Sequence, residues 1–368
     1  MKILHVEAGK HLYGGARQVQ YIVEGLARRG VDNLLACPAG SEMARQIVPG
    51  VRYAPLPMGG DADLGMVGRL LGLIRRERPD LVHLHSRRGA DTWGGLAARL
   101  AGVPCVLSRR VDNPESRLAV ALKYRLYDHV ITISEGIRQV LLAEGLAPGR
   151  VSCVRSAVDA TPYLAPVDRV AFEAEFAPVG LRSGGLIIGI VAQLIPRKGH
   201  RHLLAALPAL VAAHPGLQVL VFGQGPLEAE LRADVAARGL AAVVHFAGFR
   251  HDLPRWLGGL DLLVHPAEME GLGVSLLQAS AAAVPIVTCR AGGLPEAVQE
   301  GVTGLLVPPA DVPALGAAVG RLLADGALRR QLGAAGRARV LAEFSIDGMV
   351  EGNLAIYRQV LAHREARP

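Results

Sequence analysis

Short runs of aliphatic and β-branched residues alternate with longer Ala/Leu-rich segments along the whole chain. In the first half the runs are Lys2–Glu7, Leu34–Cys37, Leu81–Leu84, Val103–Leu107, His129–Ile133 and Val151–Val154. In the second half they are Leu186–Val191, Gln218–Phe222, Val243–Phe246, Leu262–Val264, Pro285–Thr288 and Gly304–Val307. These runs lack the apolar/polar alternation of a half-solvated strand, and the segments between them are long enough for crossover helices. That pattern predicts parallel strands covered on both faces. About six such units in each half predict an α/β chain of two Rossmann-like, doubly wound domains. The pattern is interrupted over Asp159–Gly185 by Thr161-Pro162, Ala165-Pro166 and Ser183-Gly184-Gly185. The expected domains are therefore 1–165 and 180–345, followed by a helical tail, 346–368, with no strand after it.

Composition changes this picture little. At 368 residues, 51% hydrophobic and 20% charged, the chain can fill two cores and is not of the disordered class. Only 4% of residues are aromatic, which argues against a stacking platform for single-stranded nucleic acid, and no nucleic-acid partner is expected. Cys37, Cys105, Cys153 and Cys289 are scattered without a Cys-x-x-Cys pair, as expected of reduced core thiols in a cytoplasmic protein. Glu7 interrupts the opening apolar run, so that segment reads as a first strand and not a leader peptide. The uncharged stretches His202–Leu227 and Gly271–Cys289 contain Pro208, Pro215 and Pro285 and read as helix–turn–strand units, not membrane spans.

Charge is the exception. Residues 1–170 carry 23 basic and 16 acidic side chains, and residues 171–368 carry 17 of each, so the whole net charge of +7 belongs to the first half. An anionic partner for the first domain is one reading, whether phosphorylated lipid, anionic membrane face or acidic glycan; a solvated Arg-rich surface is the other.

The segment with most chemistry runs from Asp261 to Ser280. A strand ends at Val264, a loop carries Glu268 and Glu270, and Gly271-Leu272-Gly273 leads into a helix. Gly273 would let the backbone approach a ligand, and the free N–H groups of Val274 and Ser275 suit a diphosphate. Glu270 is placed to grip sugar hydroxyls, and Gln278, two turns on, to reach a ribose. Tight loop packing would explain the glycines equally well.

This segment resembles the donor-binding signature of the family-four (group 1) retaining glycosyltransferases, which have the GT-B fold of two Rossmann-like domains facing a cleft. The family places a Glu before Gly-Phe-Gly and a second Glu eight positions later; here these are Glu270 and Gln278. Gly189–Gly199 resembles the loop in which a basic pair neutralises the donor diphosphate. Lys198 matches the family lysine, Gln193 stands where an Arg is usual, and Arg197 is a substitute cation. Phe222-Gly223-Gln224-Gly225-Pro226 is similar to the Gly-x-Gly-Pro segment lining the nucleotide site, and Ala247–Phe249 with Asp252 to the loop near the base. Ala291–Glu296 matches the next strand-end loop, with Glu296 read as structural.

In the first half the resemblance covers Tyr13-Gly14-Gly15-Ala16-Arg17 and Asp80–Ser86. It implies that Gly14 and Gly15 approach donor phosphate and acceptor, that His85 contacts the transferred sugar, and that His83 is structural. Ile133-Ser134-Glu135 matches the last strand-end motif of the first domain. In Val154–Asp159 only Val158 and Asp159 keep the family's Asn-Gly-Val-Asp. The stretch Ser108–Pro114, with Arg109, Arg110 and Asn113, then Arg117, Lys123 and Arg125, lies where relatives bind acceptors, and either an anionic acceptor or a membrane suits it.

The resemblance implies a metal-independent, retaining transfer of a hexose-type sugar from a nucleoside-diphosphate sugar to a glycan or lipid-linked acceptor. Arg197 and Lys198 would hold the phosphate, Glu270 and His85 would orient the sugar, and no cofactor is expected. Envelope polysaccharide or lipopolysaccharide assembly at the inner face of the cytoplasmic membrane is the expected setting, and the tail helix would cross back to the first domain. Two rivals stand beside it: a nucleotide-sugar epimerase on the same fold, and a degenerate binding partner, for which Gln193 and Gln278 are the support. A dehydrogenase fails, since no Gly-x-Gly-x-x-Gly follows the first strand of either half.

Overall fold

A computed structural model describes residues 1–12, 14–45, 48–85 and 89–366. The chain divides into two compact units, residues 1–157 with 346–368 and residues 158–345.

The first unit holds β1 (Lys2–Val6), β2 (Asp32–Pro38), β3 (Val51–Leu56), β4 (Leu81–Leu84), β5 (Cys105–Arg109), β6 (His129–Thr132) and β7 (Val151–Cys153). They form one parallel sheet in the order β3-β2-β1-β4-β5-β6-β7. The second unit holds β8 (Ile187–Val191), β9 (Gln218–Phe222), β10 (Val244–Gly248), β11 (Leu262–His265), β12 (Ile286–Cys289) and β13 (Gly304–Val307). Its order is β10-β9-β8-β11-β12-β13, again parallel. Both are doubly wound sheets, and in both the order reverses once, between β1 and β4 and between β8 and β11. Ligands bind such sheets beyond the carboxyl ends of the strands at that reversal.

Twelve of these strands coincide with the apolar runs of the sequence; β3 does not. Its core is broken by Arg52 and Pro55, and it is only half-buried. At a sheet edge a proline costs no ladder hydrogen bond on the open side.

Amphipathic helices cover the sheets. In helix Gly14–Arg28, Val19, Ile22, Val23 and Leu26 repeat at helical spacing and are all buried. The tail helix, Ile346–Glu365, belongs to the first unit. It packs Met349, Val350, Leu354 and Tyr357 on Ile3, Ile22, Leu26, Leu81 and Val106. Each such side chain contributes roughly 1.5–3 kcal/mol when taken from water. Gln18 fixes the last residue before the division: its Nε2 donates to the Ala157 carbonyl at 2.8 Å and its Oε1 accepts from Ala157 N at 2.8 Å.

The stretch Asp159–Gly185, expected to separate the domains, is part of the second unit. Asp168 caps helix Arg169–Phe176, which buries Phe172 and Phe176. Arg169 donates to the Gly259 carbonyl at 2.8 Å and to Asp261 at 3.0 Å. The prolines interrupt regular structure there without freeing the chain from the core. Among the described residues no helix is long and apolar enough to cross a membrane.

Candidate active site

The second unit assembles its chemistry where the sheet order reverses. The loop after β8 carries Gln193, Arg197 and Lys198, and the loop after β11 carries Glu268, Glu270 and Gly273. The two are stitched together: Glu268 N donates to the Arg197 carbonyl at 2.9 Å, and Arg197 Nη1 donates to the Met269 carbonyl at 3.0 Å. Lys198, nearly buried, donates from Nζ to Glu270 Oε2. Glu270 Oε2 also accepts from His265 Nε2 at 3.3 Å, and its Oε1 from Gly271 N at 3.2 Å. Burial would raise the Glu270 pKa, but the His265 hydrogen bond and the Lys198 charge outweigh it, so the carboxylate lies well below its usual range. His265 is pushed down by burial and stays neutral. A charged carboxylate is thus fixed beside a cation, with two positive side chains bonded to the loop that leads into the next helix.

That helix, Val274–Ala281, begins at Gly273, whose φ is +84°. No side chain caps it, and Val274 and Ser275, both half-buried, occupy the first positions, whose N–H groups have no intrahelical partner. Leu272 and Gly271 are buried beneath them, and Gln278 lies half-buried on the same helix. The exposed Gln193 and Arg197 complete the rim. Asp252, expected near the base, is held by Arg250 Nε at 2.7 Å and Trp256 Nε1 at 3.1 Å.

Gly223 and Gly225, expected to line the nucleotide site, have a packing duty. A Cβ on Gly223 would come within 1.9 Å of the Ala192 carbonyl oxygen, and one on Gly225 within 2.5 Å of that of Leu194. They let the loop after β9 lie directly on the loop after β8, with Leu194 N donating to the Gln224 carbonyl at 3.1 Å. This contact helps to place Gln193–Lys198.

In the first unit the reversal brings together Gly14, Gly15, His85 and Arg110. Gly14 and Gly15 are exposed at the start of their helix, and the Cβ position of Gly15 lies 3.8 Å from Arg110 Cδ. Arg110 Nε donates to the His85 carbonyl at 3.3 Å. His85 is 1% exposed, stacked with His5 and tilted against His83. Arg109 is not an acceptor contact: it is 3% exposed, and its Nη1 pairs with Glu115 at 3.0 Å. Lys123 is likewise committed, to Asp91 at 2.7 Å, while Asn113, Arg117 and Arg125 are exposed. Tyr13 and Ser86 of the two sequence motifs lie outside the described residues.

Sequence reasoning passed over His265, His5 and Asn33. Each is a polar residue set inside a buried strand, and that interruption was the available signal.

Residues 171–339 match the model of "Glycosyl transferases group 1" and residues 13–161 that of "Glycosyltransferase Family 4". A 2-deoxystreptamine N-acetyl-D-glucosaminyltransferase of Streptomyces fradiae is 31% identical over 384 residues, 94% of this chain and 90% of that protein. The chain belongs to the group 1 glycosyltransferases. Within that family, the 2-deoxystreptamine glucosyltransferase of Streptomyces kanamyceticus is 31% identical over 86% of this chain and 90% of its own. The glycosyltransferase also has the GT-B fold: Anabaena HepE, solved in complex with UDP and glucose, superposes with a TM-score of 0.84 over 98% of this chain and 100% of that one, at 19% identity.

Proposed function

We propose that this glycosyltransferase moves a hexose-type sugar from a nucleoside-diphosphate donor to an acceptor with retention of anomeric configuration and without a metal. The observation that carries the reading is the reversal of the second sheet. There the loop carrying Arg197 and Lys198 is joined to the loop that leads into the helix of Val274 and Ser275, whose N–H groups have no partner among the described residues, and Glu270 is held ionised beside Lys198. As the glycosidic bond breaks, negative charge grows on the leaving diphosphate and positive charge on the anomeric carbon. Cations and helix N–H groups stabilise the first, and a fixed carboxylate suits the hydroxyls of the sugar. The acceptor oxygen forms its bond on the face that the diphosphate oxygen leaves, and that phosphate oxygen takes the acceptor proton. His85 and the glycine pair Gly14-Gly15 are the first unit's proposed contributions to substrate binding.

For the acceptor, the basic first half supports a glycan or lipid-linked molecule, and with it envelope polysaccharide or lipopolysaccharide assembly on an anionic membrane face. A second reading, a small aminocyclitol acceptor, is favoured by the two Streptomyces relatives, whose names specify 2-deoxystreptamine.

The test is a donor screen by thermal shift, followed by transfer from the best donor with the product's anomeric proton read by NMR. An α-configured donor should yield an α-linked product, and EDTA should leave the rate unchanged. An inverted linkage, or activity lost on chelation and restored by a divalent ion, would refute the mechanism.

A further inference from the structure

Three buried histidines of the first unit, His5, His83 and His85, share one face of the sheet on β1 and at the end of β4. Their hydrogen bonds run in one direction. Asn33 Nδ2 donates to the Val31 carbonyl at 2.8 Å, which turns its Oδ1 toward His5. The reverse amide orientation would set that oxygen against a carbonyl. Asn33 Oδ1 therefore accepts from His5 Nε2 at 3.1 Å. With that proton on Nε2, neutral His5 offers a lone pair at Nδ1, which accepts from His85 Nε2 at 2.9 Å. His85 then has its proton on Nε2 and a bare lone pair on Nδ1. That atom is buried and has no partner among the described residues.

His83 supplies no competing proton. Its Nδ1 is hydrogen-bonded to the Tyr357 hydroxyl at 2.5 Å and its Nε2 to Ser108 Oγ at 2.9 Å, and since each hydroxyl can donate or accept, both nitrogens are satisfied within their own pairs in either tautomer. Burial keeps the set uncharged: it lowers His5 to about 4 and puts His83 and His85 well below the usual imidazole range. A buried acceptor without a donor is destabilising, and that cost is recovered when a ligand supplies the donor.

We infer that Asn33 and His5 are positioning residues that hold His85 as a hydrogen-bond acceptor at Nδ1, so that the substrate group it receives is a neutral hydroxyl and not an anion. The inference rests on the glycosyl-transfer reading for the identity of the substrate, but the tautomer stands apart from it. The same three rings place nitrogens within 4.8 Å of one another, the spacing of a metal site. A metal would have to displace the His85 proton from His5 Nδ1, so the hydrogen-bonded relay is the arrangement the geometry favours.

The test reads the tautomer directly, by ¹⁵N NMR of the ring nitrogens in the full-length protein. Wild type should show His85 protonated at Nε2. In Asn33→Asp the new carboxylate would stabilise a protonated His5, whose Nδ1–H would then donate to His85 Nε2 and drive the His85 proton to Nδ1. Transfer should fall about tenfold or more, because the site then offers a donor where an acceptor is needed, with UDP or GDP affinity unchanged. His5→Asn, whose side-chain oxygen can replace the Nδ1 lone pair, should keep the wild-type tautomer and most of the activity, whereas His5→Leu should not. A wild-type proton on His85 Nδ1, an Asn33→Asp protein unchanged in tautomer and rate, or stoichiometric zinc in the purified protein would overturn the relay. A wild type that transfers no sugar while keeping the expected tautomer would count against the functional reading alone.

Discussion

Lys198 is the residue on which the proposed donor site turns. It is nearly buried, it pairs with an ionised Glu270, and that residue's loop leads into a helix whose first N–H groups have no partner among the described residues. Replacing it with Ala should lower turnover about 100-fold or more, since a fixed cation on a developing phosphate charge is a large electrostatic contribution. Near-normal turnover in a steady-state assay, with the circular dichroism spectrum unchanged, would remove Lys198 from the site. That Lys198, Glu270 and Gly273 stand in loops at strand ends was legible in the sequence from where the apolar runs stop, while the roles proposed for them came from the family resemblance. His5, Asn33 and His265 were not legible, because a polar residue within an apolar run does not reveal which partners its neighbouring strands supply. Arg109 was misread for the same reason: Glu115, six residues on, folds back to neutralise it.

At the scale of elements, the glycines bring backbone and helices into contact. Gly25 lies in the helix Gly14–Arg28, against the tail helix, and a Cβ there would meet Val350 Cγ2 at 2.4 Å. Gly25→Ala should cost about 1–3 kcal/mol by overpacking. The melting temperature should drop by several degrees, and hydrogen exchange should quicken first over residues 346–365. Unchanged melting would mean that the two helices do not meet as described. Gly223→Ala should act through the loop it packs on: its Cβ collides with the Ala192 carbonyl, so the Gln193–Lys198 loop must shift and donor affinity should fall about tenfold. Calorimetry of nucleotide binding checks this, and wild-type affinity would contradict it. Most strands could be read from the apolar runs, since a strand buried on both faces must be apolar throughout. Edge strand β3 could not, for half-burial admits Arg52 and Pro55. Helix Arg169–Phe176 was hidden by the prolines around it, although Phe172 and Phe176 already had helical spacing.

For the whole molecule, the buried histidines set the response to acid. His5, His129 and His200 are each lowered to about 4, in every case chiefly by burial. The unfolded chain, with imidazoles near 6.5, binds protons that the native state refuses. The stability they confer is therefore complete above about pH 6.5 and is lost as pH falls toward 4. His5 alone should account for a loss on the order of 3 kcal/mol. A melting temperature that falls steadily over this range is expected, and a flat profile would show that these rings are solvated. The doubly wound order of both sheets followed from the alternation of strand and helix. The position of the division did not, because the Asp159–Gly185 stretch packs into the second unit through side chains that composition alone does not single out. The most direct test of the central claim is a crystal structure with a bound nucleoside-diphosphate sugar. Its phosphates should sit at the start of helix Val274–Ala281, within hydrogen-bond distance of the Val274 or Ser275 N–H and of Lys198 Nζ. A diphosphate bound away from that helix would contradict the account.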